Sequence, residues 1–332
     1  MPGQQDCLAV EVTRGATVES VHRIHAAVVD ADGDVVASWG DPERLVFPRS
    51  GIKSMQALPL VESGAADAYR LSVEELAISG ASHQAEAMHV DTVARWLARI
   101  DCRVSDLGCG VHPPGHPDCA AELLRSGHSP SAIHNNCSGK HTGMLCTARH
   151  LGDDVAGYTE YGHPVQARVR LALSEMTDCD METAPWDRDG CSIPTLAAPL
   201  RAWARGMARM ADPSALGAVR GEAARRIVSA IMARPLMIGG TRQWDSQMMA
   251  RLEGKLLAKT GAEGVACVAL PGRGIGFVLK VEDGAVRALP LAVAGILRAL
   301  GEIDDVDAVA GHQHTVLSNW NRHEVGRIRL AS

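Results

Sequence analysis

Three lysines fall where a lysine could serve as a base. Lys53 closes Ser50-Gly51-Ile52-Lys53, Lys259 opens Lys259-Thr260-Gly261, and Lys140 lies within Asn135-Asn136-Cys137-Ser138-Gly139-Lys140-His141. The chain holds five lysines against 28 arginines. Arginine serves wherever only positive charge is wanted, but it cannot shed its proton near neutral pH. An arginine-rich chain that keeps lysine at these places therefore points to neutral-amine chemistry. In Ser50-x-x-Lys53, helical spacing would set hydroxyl and amine on one face. A serine hydroxyl is a poor nucleophile at neutral pH, and a desolvated lysine can accept its proton. Ser82, in Ala81-Ser82-His83-Gln84, could pair with Lys259; taken alone, it reads better as a helix N-cap before Gln84-Ala85-Glu86. Cys137, Lys140 and His141, with Asp189-Gly190-Cys191 further on, form another cluster. Two thiolates from separate loops beside nitrogen and oxygen donors suit zinc, although no Cys-x-x-Cys pair is present and buried free cysteine is the commoner state.

The elements that must position these residues are strands at both ends and helices between. Residues 21–30 and 34–39 are β-rich runs joined by Ala31-Asp32-Gly33, and residues 264–270 and 276–282 flank Pro271-Gly272-Arg273-Gly274. Residues 325–330 read as one more strand, and Lys259-Thr260-Gly261 just precedes the strand at 264–270. Residues 91–100, 165–176, 196–210 and 222–232 carry helical periodicity. This order predicts an α/β fold, with one antiparallel sheet built from both chain ends and a helical insertion. The expected division is a discontinuous sheet domain, 1–70 with 240–332, around a mainly helical domain, 71–239.

Composition narrows the function classes. Hydrophobic content of 46% and charged content of 22% are those of a globular protein, and aromatics at 3% leave the core to Val, Leu, Ile, Ala and Met. A net charge of −6 without a basic block argues against nucleic acid or an anionic membrane as partner. The longest uncharged apolar stretch, 288–297, is too short to span a bilayer. The first residues show no export signal, and nine irregularly spaced cysteines read as reduced thiols, so the expected location is the cytoplasm.

Ser-x-x-Lys followed by Lys-Thr-Gly is the pattern of serine β-lactamases and penicillin-binding proteins, but their third motif, Ser-Asp-Asn, is absent, which argues against a β-lactam-directed enzyme. A closer resemblance runs along essentially the whole chain. Val12-Thr13-Arg14-Gly15, Pro48-Arg49-Ser50-x-x-Lys53, Ala81-Ser82-His83, the run from Asn136 through Lys140 and His141 to Met144, Asp189-Gly190-Cys191, and Lys259-Thr260-Gly261-Ala262-Glu263-Gly264 occur in order. The chain thus resembles the rhizobial-type (class 3, thermolabile) L-asparaginases.

That resemblance implies a serine β-lactamase-like and glutaminase-like fold, a homodimer, and two Ser-Lys couples, Ser50 with Lys53 and Ser82 with Lys259. It also implies a zinc ion held by Cys137, Lys140 and Cys191, with Asp189 beside metal and substrate. Arg49 and His141 occupy motif positions and are expected to bind substrate. The expected reaction is hydrolysis of L-asparagine to L-aspartate and ammonia, with Ser50 as nucleophile. Two readings stand beside it. One is another Ser-Lys amidohydrolase, acting on glutamine, a small peptide or a β-lactam. The other is a non-catalytic zinc-binding relative, against which the intact Ser50, Lys53, Ser82 and Lys259 count.

Overall fold

The computed structural model describes residues 6–331. Its strands, in chain order, are β1 (Leu8–Arg14), β2 (Thr17–Asp30), β3 (Val35–Trp39), β4 (Leu45–Val46), β5 (Trp186–Arg188), β6 (Pro194–Leu196), β7 (Ala198–Pro199), β8 (Leu257–Gly261), β9 (Val265–Leu270), β10 (Ile275–Val281), β11 (Val316–Ser318) and β12 (Glu324–Leu330). Eight of them form one antiparallel sheet ordered β11-β12-β1-β2-β10-β9-β8, with β3 also paired to β2. Both chain ends thus meet in a single sheet, and β8 forms one edge. The short pairs β4–β7 and β5–β6 stand outside it.

Helices cover both faces of this sheet. Leu200–Ala211 packs across β10, β2 and β9, while Leu289–Ala299 lies against β12, β1 and β9. Strands enclosed on both sides can be apolar throughout, and every residue of β9 is buried. The first helix reaches its strand because Gly276 has no side chain: a Cβ there would collide with the backbone of Met207 and Ala208. Trp203, on the same helix, is fully buried and donates its indole N–H to Val46 O at 3.0 Å. Between β4 and β8 the chain is mainly helical. The longer helices there are Ala87–Arg99, Ser138–Leu151, Pro164–Thr177, Leu200–Ala211 and Ala218–Ala233. No helix among the described residues is long and apolar enough to cross a membrane.

The expected architecture is present, with local departures that have physical causes. β1 was not expected, because Leu8–Arg14 mixes charged and apolar residues; it pairs with β2 and β12 on its two sides, which supplies the backbone partners its side chains do not advertise. β2 reaches back to Thr17, along a stretch of mostly exposed residues held by that pairing. The expected helix 196–210 begins at Leu200, since Pro199 precedes it and Leu196 is the last residue of β6. Lys259-Thr260-Gly261 does precede a strand, β9, but it is itself the end of another, β8, with Lys259 opposite Cys267 in β9.

Candidate active site

Ser50 sits in a single tight turn, Arg49–Ile52, that runs directly into the short helix Lys53–Gln56. Arg49 adopts a left-handed conformation, φ 52°, uncommon outside glycine and found where surroundings over-determine the backbone. The turn lies hard against the end of β8. A Cβ on Gly261 would strike Pro48 O, and one on Gly51 would come within 2.6 Å of Cys267 Sγ. Gly261 therefore lets the Ser50 turn and the Lys259 strand touch at backbone level, which is the physical reason for glycine in Lys-Thr-Gly here, while Gly51 lets the turn seat on Cys267 of β9.

Lys53 is fully buried, and its Nζ is held by Ser82 Oγ at 2.8 Å, Ala81 O at 2.6 Å and Cys137 Sγ at 3.1 Å. The structure thus brings the first lysine to the second serine. The Lys53 N–H donates to Ser50 O, but among the described residues no side-chain hydrogen bond joins Ser50 to Lys53, or Ser82 to Lys259. Ser82 is not an N-cap: the following helix starts at Ala87 with Glu86 before it, and the Ser82 N–H donates to Ile238 O at 2.8 Å. The loop is pinned next door by His83, whose Nδ1 accepts the Ala85 N–H at 3.1 Å. Its Nε2 therefore carries the proton and donates to Ser138 Oγ at 2.9 Å. Burial, with His89 and Lys53 adding to it, holds His83 well below the usual imidazole range.

Lys259 is 2% exposed, and its Nζ donates to Thr260 O at 2.7 Å. Burial pushes its amine down to about 8, against the pull of Asp245, whose Oδ2 lies 3.8 Å away. Asp245 carried no motif in the sequence. It lies in the first turn of the helix Trp244–Arg251, and nothing in its spacing marks it as part of a site.

The cysteine cluster forms at the start of the helix Ser138–Leu151. Gly139 allows it, since a Cβ there would strike Ile78 O. Lys140 Nζ lies 2.9 Å from Cys191 Sγ, and Cys191 shares a hydrogen bond with Cys137. That bond from Cys191, with Lys53 and Lys140 nearby, outweighs burial and holds the Cys137 thiol well below its usual range. The shared bond and burial push Cys191 up, so the pair keeps one proton between them. Burial opposes the charge on Lys140, but the Cys191 and Cys137 sulfurs outweigh it and raise the amine. Cys191 lies inside the tight turn between β5 and β6, which begins at Asp189 and closes where the Ser192 N–H donates to Asp189 O at 2.8 Å. Burial would raise the Asp189 carboxyl, yet Lys140 and Arg49 hold it below its ordinary value, and Arg49 Nε donates to its Oδ1 at 2.6 Å. Two sulfurs and an amine converging from two segments fit a zinc ion, once Cys191 and Lys140 release protons. No group of three or more His, Cys, Asp or Glu suited to a metal occurs among the described residues, so such a site depends on lysine as its third donor. His141 follows Lys140 on the same helix. It is fully buried, with Nδ1 2.6 Å from Tyr158 Oη and Nε2 without a hydrogen-bond partner.

The sequence profile of the L-asparaginase II family matches residues 10–330, nearly the whole chain. The chain belongs to the L-asparaginase II family. No curated protein sequence matches it. Among solved structures, this asparaginase-family chain is similar to a β-lactamase from Mycobacterium bovis, at 13% identity over 84% of this chain and 95% of that one, with a TM-score of 0.39. It is also similar to an octameric penicillin-binding protein homologue from Pyrococcus abyssi, at 14% identity over 84% and 73%, with a TM-score of 0.33. Likeness at that level carries no residue roles to this L-asparaginase II chain. They come from its own geometry, and family membership makes it an enzyme of the amidohydrolase type.

Proposed function

We propose that the protein hydrolyses L-asparagine to L-aspartate and ammonia through an acyl-enzyme on Ser50. The observation that carries this reading is the fully buried Lys53 amine, 2.8 Å from Ser82 Oγ and one turn from Ser50. Ser50 Oγ attacks the side-chain amide carbon and gives its proton to Lys53. Ser82, already on Lys53, passes a proton towards the departing nitrogen, with Lys259 as the second amine of the relay. Ammonia leaves, and water then cleaves the ester by the reverse proton path. The Ser50 N–H, which no group accepts among the described residues, offers a donor to the oxyanion.

The Arg49–Asp189 pair presents both charges that a free amino acid needs met. Asp189 would take the substrate ammonium, and Arg49 its carboxylate. Cys137, Lys140 and Cys191 would hold zinc, which when bound supplies a Lewis-acidic anchor for a polar group of the substrate. The test is ammonia release from L-asparagine and from L-glutamine, with Ser50→Ala as control. Release from asparagine at a rate well above that from glutamine is expected. Release from glutamine alone would move the protein to the neighbouring amidohydrolase class, and release from neither would leave a binding protein.

A further inference from the structure

Asp245 is the buried acidic group that the reaction above leaves without a task. Its carboxylate is 2% exposed, and its two oxygens do different things. Oδ1 accepts the Ser246 N–H at 2.8 Å, an ordinary arrangement in the first turn of a helix. Oδ2 faces away from that helix. It accepts the Thr260 N–H at 3.0 Å and the Thr260 hydroxyl at 2.9 Å, and it lies 3.8 Å from Lys259 Nζ. A helix-capping role accounts for the first oxygen only. A buried carboxylate is tolerated when its lone pairs and charge are met, and here strand β8 meets them.

We infer that Asp245 is a positioning residue of this site, tying the Lys259-Thr260 end of β8 in place and standing as the counter-charge to the Lys259 amine. It acts through Lys259, so its role in turnover rests on the reading of Lys259 as a proton-transfer group given above. Four groups face that amine: Asp245 from the helix Trp244–Arg251, Lys53 from the helix after Ser50, Cys137 from the loop before Ser138, and Cys267 from β9. Burial and Lys53 favour the neutral amine; among the charges, Asp245 opposes them most strongly. Without Asp245 the strand end would lose two hydrogen bonds, and the amine would titrate at lower pH.

With only five lysines in the chain, side-chain NMR on as-purified protein carrying isotope-labelled lysine can follow Lys259 directly. In Asp245→Asn, the Lys259 titration should move down by about one pH unit or more from wild type. The acid limb of kcat should move down with it, and above that limb, where the amine is neutral in both proteins, kcat should fall more than KM rises. An unmoved Lys259 titration overturns the inference, even if activity is lost. If the titration moves while asparagine turnover has no limb in that range, Asp245 keeps its role towards Lys259 and the proposed use of Lys259 fails. Should Asp245→Asn not fold, Asp245→Glu carries the test. It keeps the charge on a longer stem that cannot hold both Thr260 bonds, so Lys259 should titrate near its wild-type value while kcat falls. Wild-type kcat in the Glu variant would overturn the positioning role.

Discussion

If Lys259 must be a neutral amine for turnover, the pH profile follows from its burial. The amine is enclosed, and burial brings it down to about 8, below its ordinary 10.5, with Lys53 helping and Asp245 opposing. At pH 7 about one-tenth of Lys259 is then neutral, at pH 8 about half, and at pH 9 about nine-tenths. For L-asparagine, kcat/KM should climb about fivefold from pH 7 to 8, and less than about twofold from 8 to 9. Arginine in this slot stays charged at every working pH, so Lys259→Arg should lose at least about a hundredfold, roughly 2.7 kcal/mol of transition-state stabilisation. Lys259→Met removes the ionisation without burying a permanent charge. The folded protein resists protonating Lys259, so below pH 8 this group weakens the fold, and it stops doing so as pH rises from 8 to 10.5. Lys259 should therefore contribute a gain on the order of 3 kcal/mol in wild-type stability across that window, and Lys259→Met should lack it. Stopped-time ammonia assays and urea titrations at matched pH measure both. A flat kcat/KM between pH 7 and 9, or a Lys259→Arg enzyme within about tenfold of wild type, would refute the neutral-amine role.

Other expectations follow from particular contacts. Ser50→Ala should keep the wild-type circular dichroism spectrum and lose more than about a thousandfold in kcat, about 4 kcal/mol; a residual rate above about one-tenth would shift the nucleophile to Ser82. Purified protein should carry about one zinc per chain by metal analysis, and Cys191→Ser should weaken that binding and raise KM for asparagine more than it lowers kcat. Gly139→Ala drives a methyl into Ile78 O; it should lower stability by about 1–3 kcal/mol and impair activity by moving Cys137 and Lys140, and unchanged melting and rate would contradict the packing argument. The homodimer implied by the family resemblance alone should appear in light scattering as a mass twice that of the 35.2 kDa chain.

What the sequence made legible was local chemistry and periodicity. The hairpin around Gly33 and the runs 264–270 and 276–282 could be read because alternation and turn residues agree there. β1 could not, since its own residues alternate poorly and one of its two partners, β12, lies at the far end of the chain. Ser50, Lys53 and Lys259 stood out by motif. Their pairing did not, because spacing places a serine and a lysine on one turn without saying where a long amine will reach. Lys53 reaches a loop almost thirty positions away, at Ser82. Ser82 itself looked like a helix cap because a helix does follow; the structure delays that helix to Ala87 and gives the loop to Lys53 and His83. Asp245 was invisible for the opposite reason. An aspartate in a first helical turn is commonplace, and only the approach of β8 gives its second oxygen a task.

The proposed mechanism stands on a covalent bond from Ser50 to the substrate. Rapid acid quenching during L-asparagine turnover, followed by peptide mass spectrometry, tests it most directly. One aspartyl group is expected on the peptide that contains Ser50, absent from Ser50→Ala. An aspartyl group on Ser82 instead, or ammonia released with no adduct under conditions that slow deacylation, would contradict it.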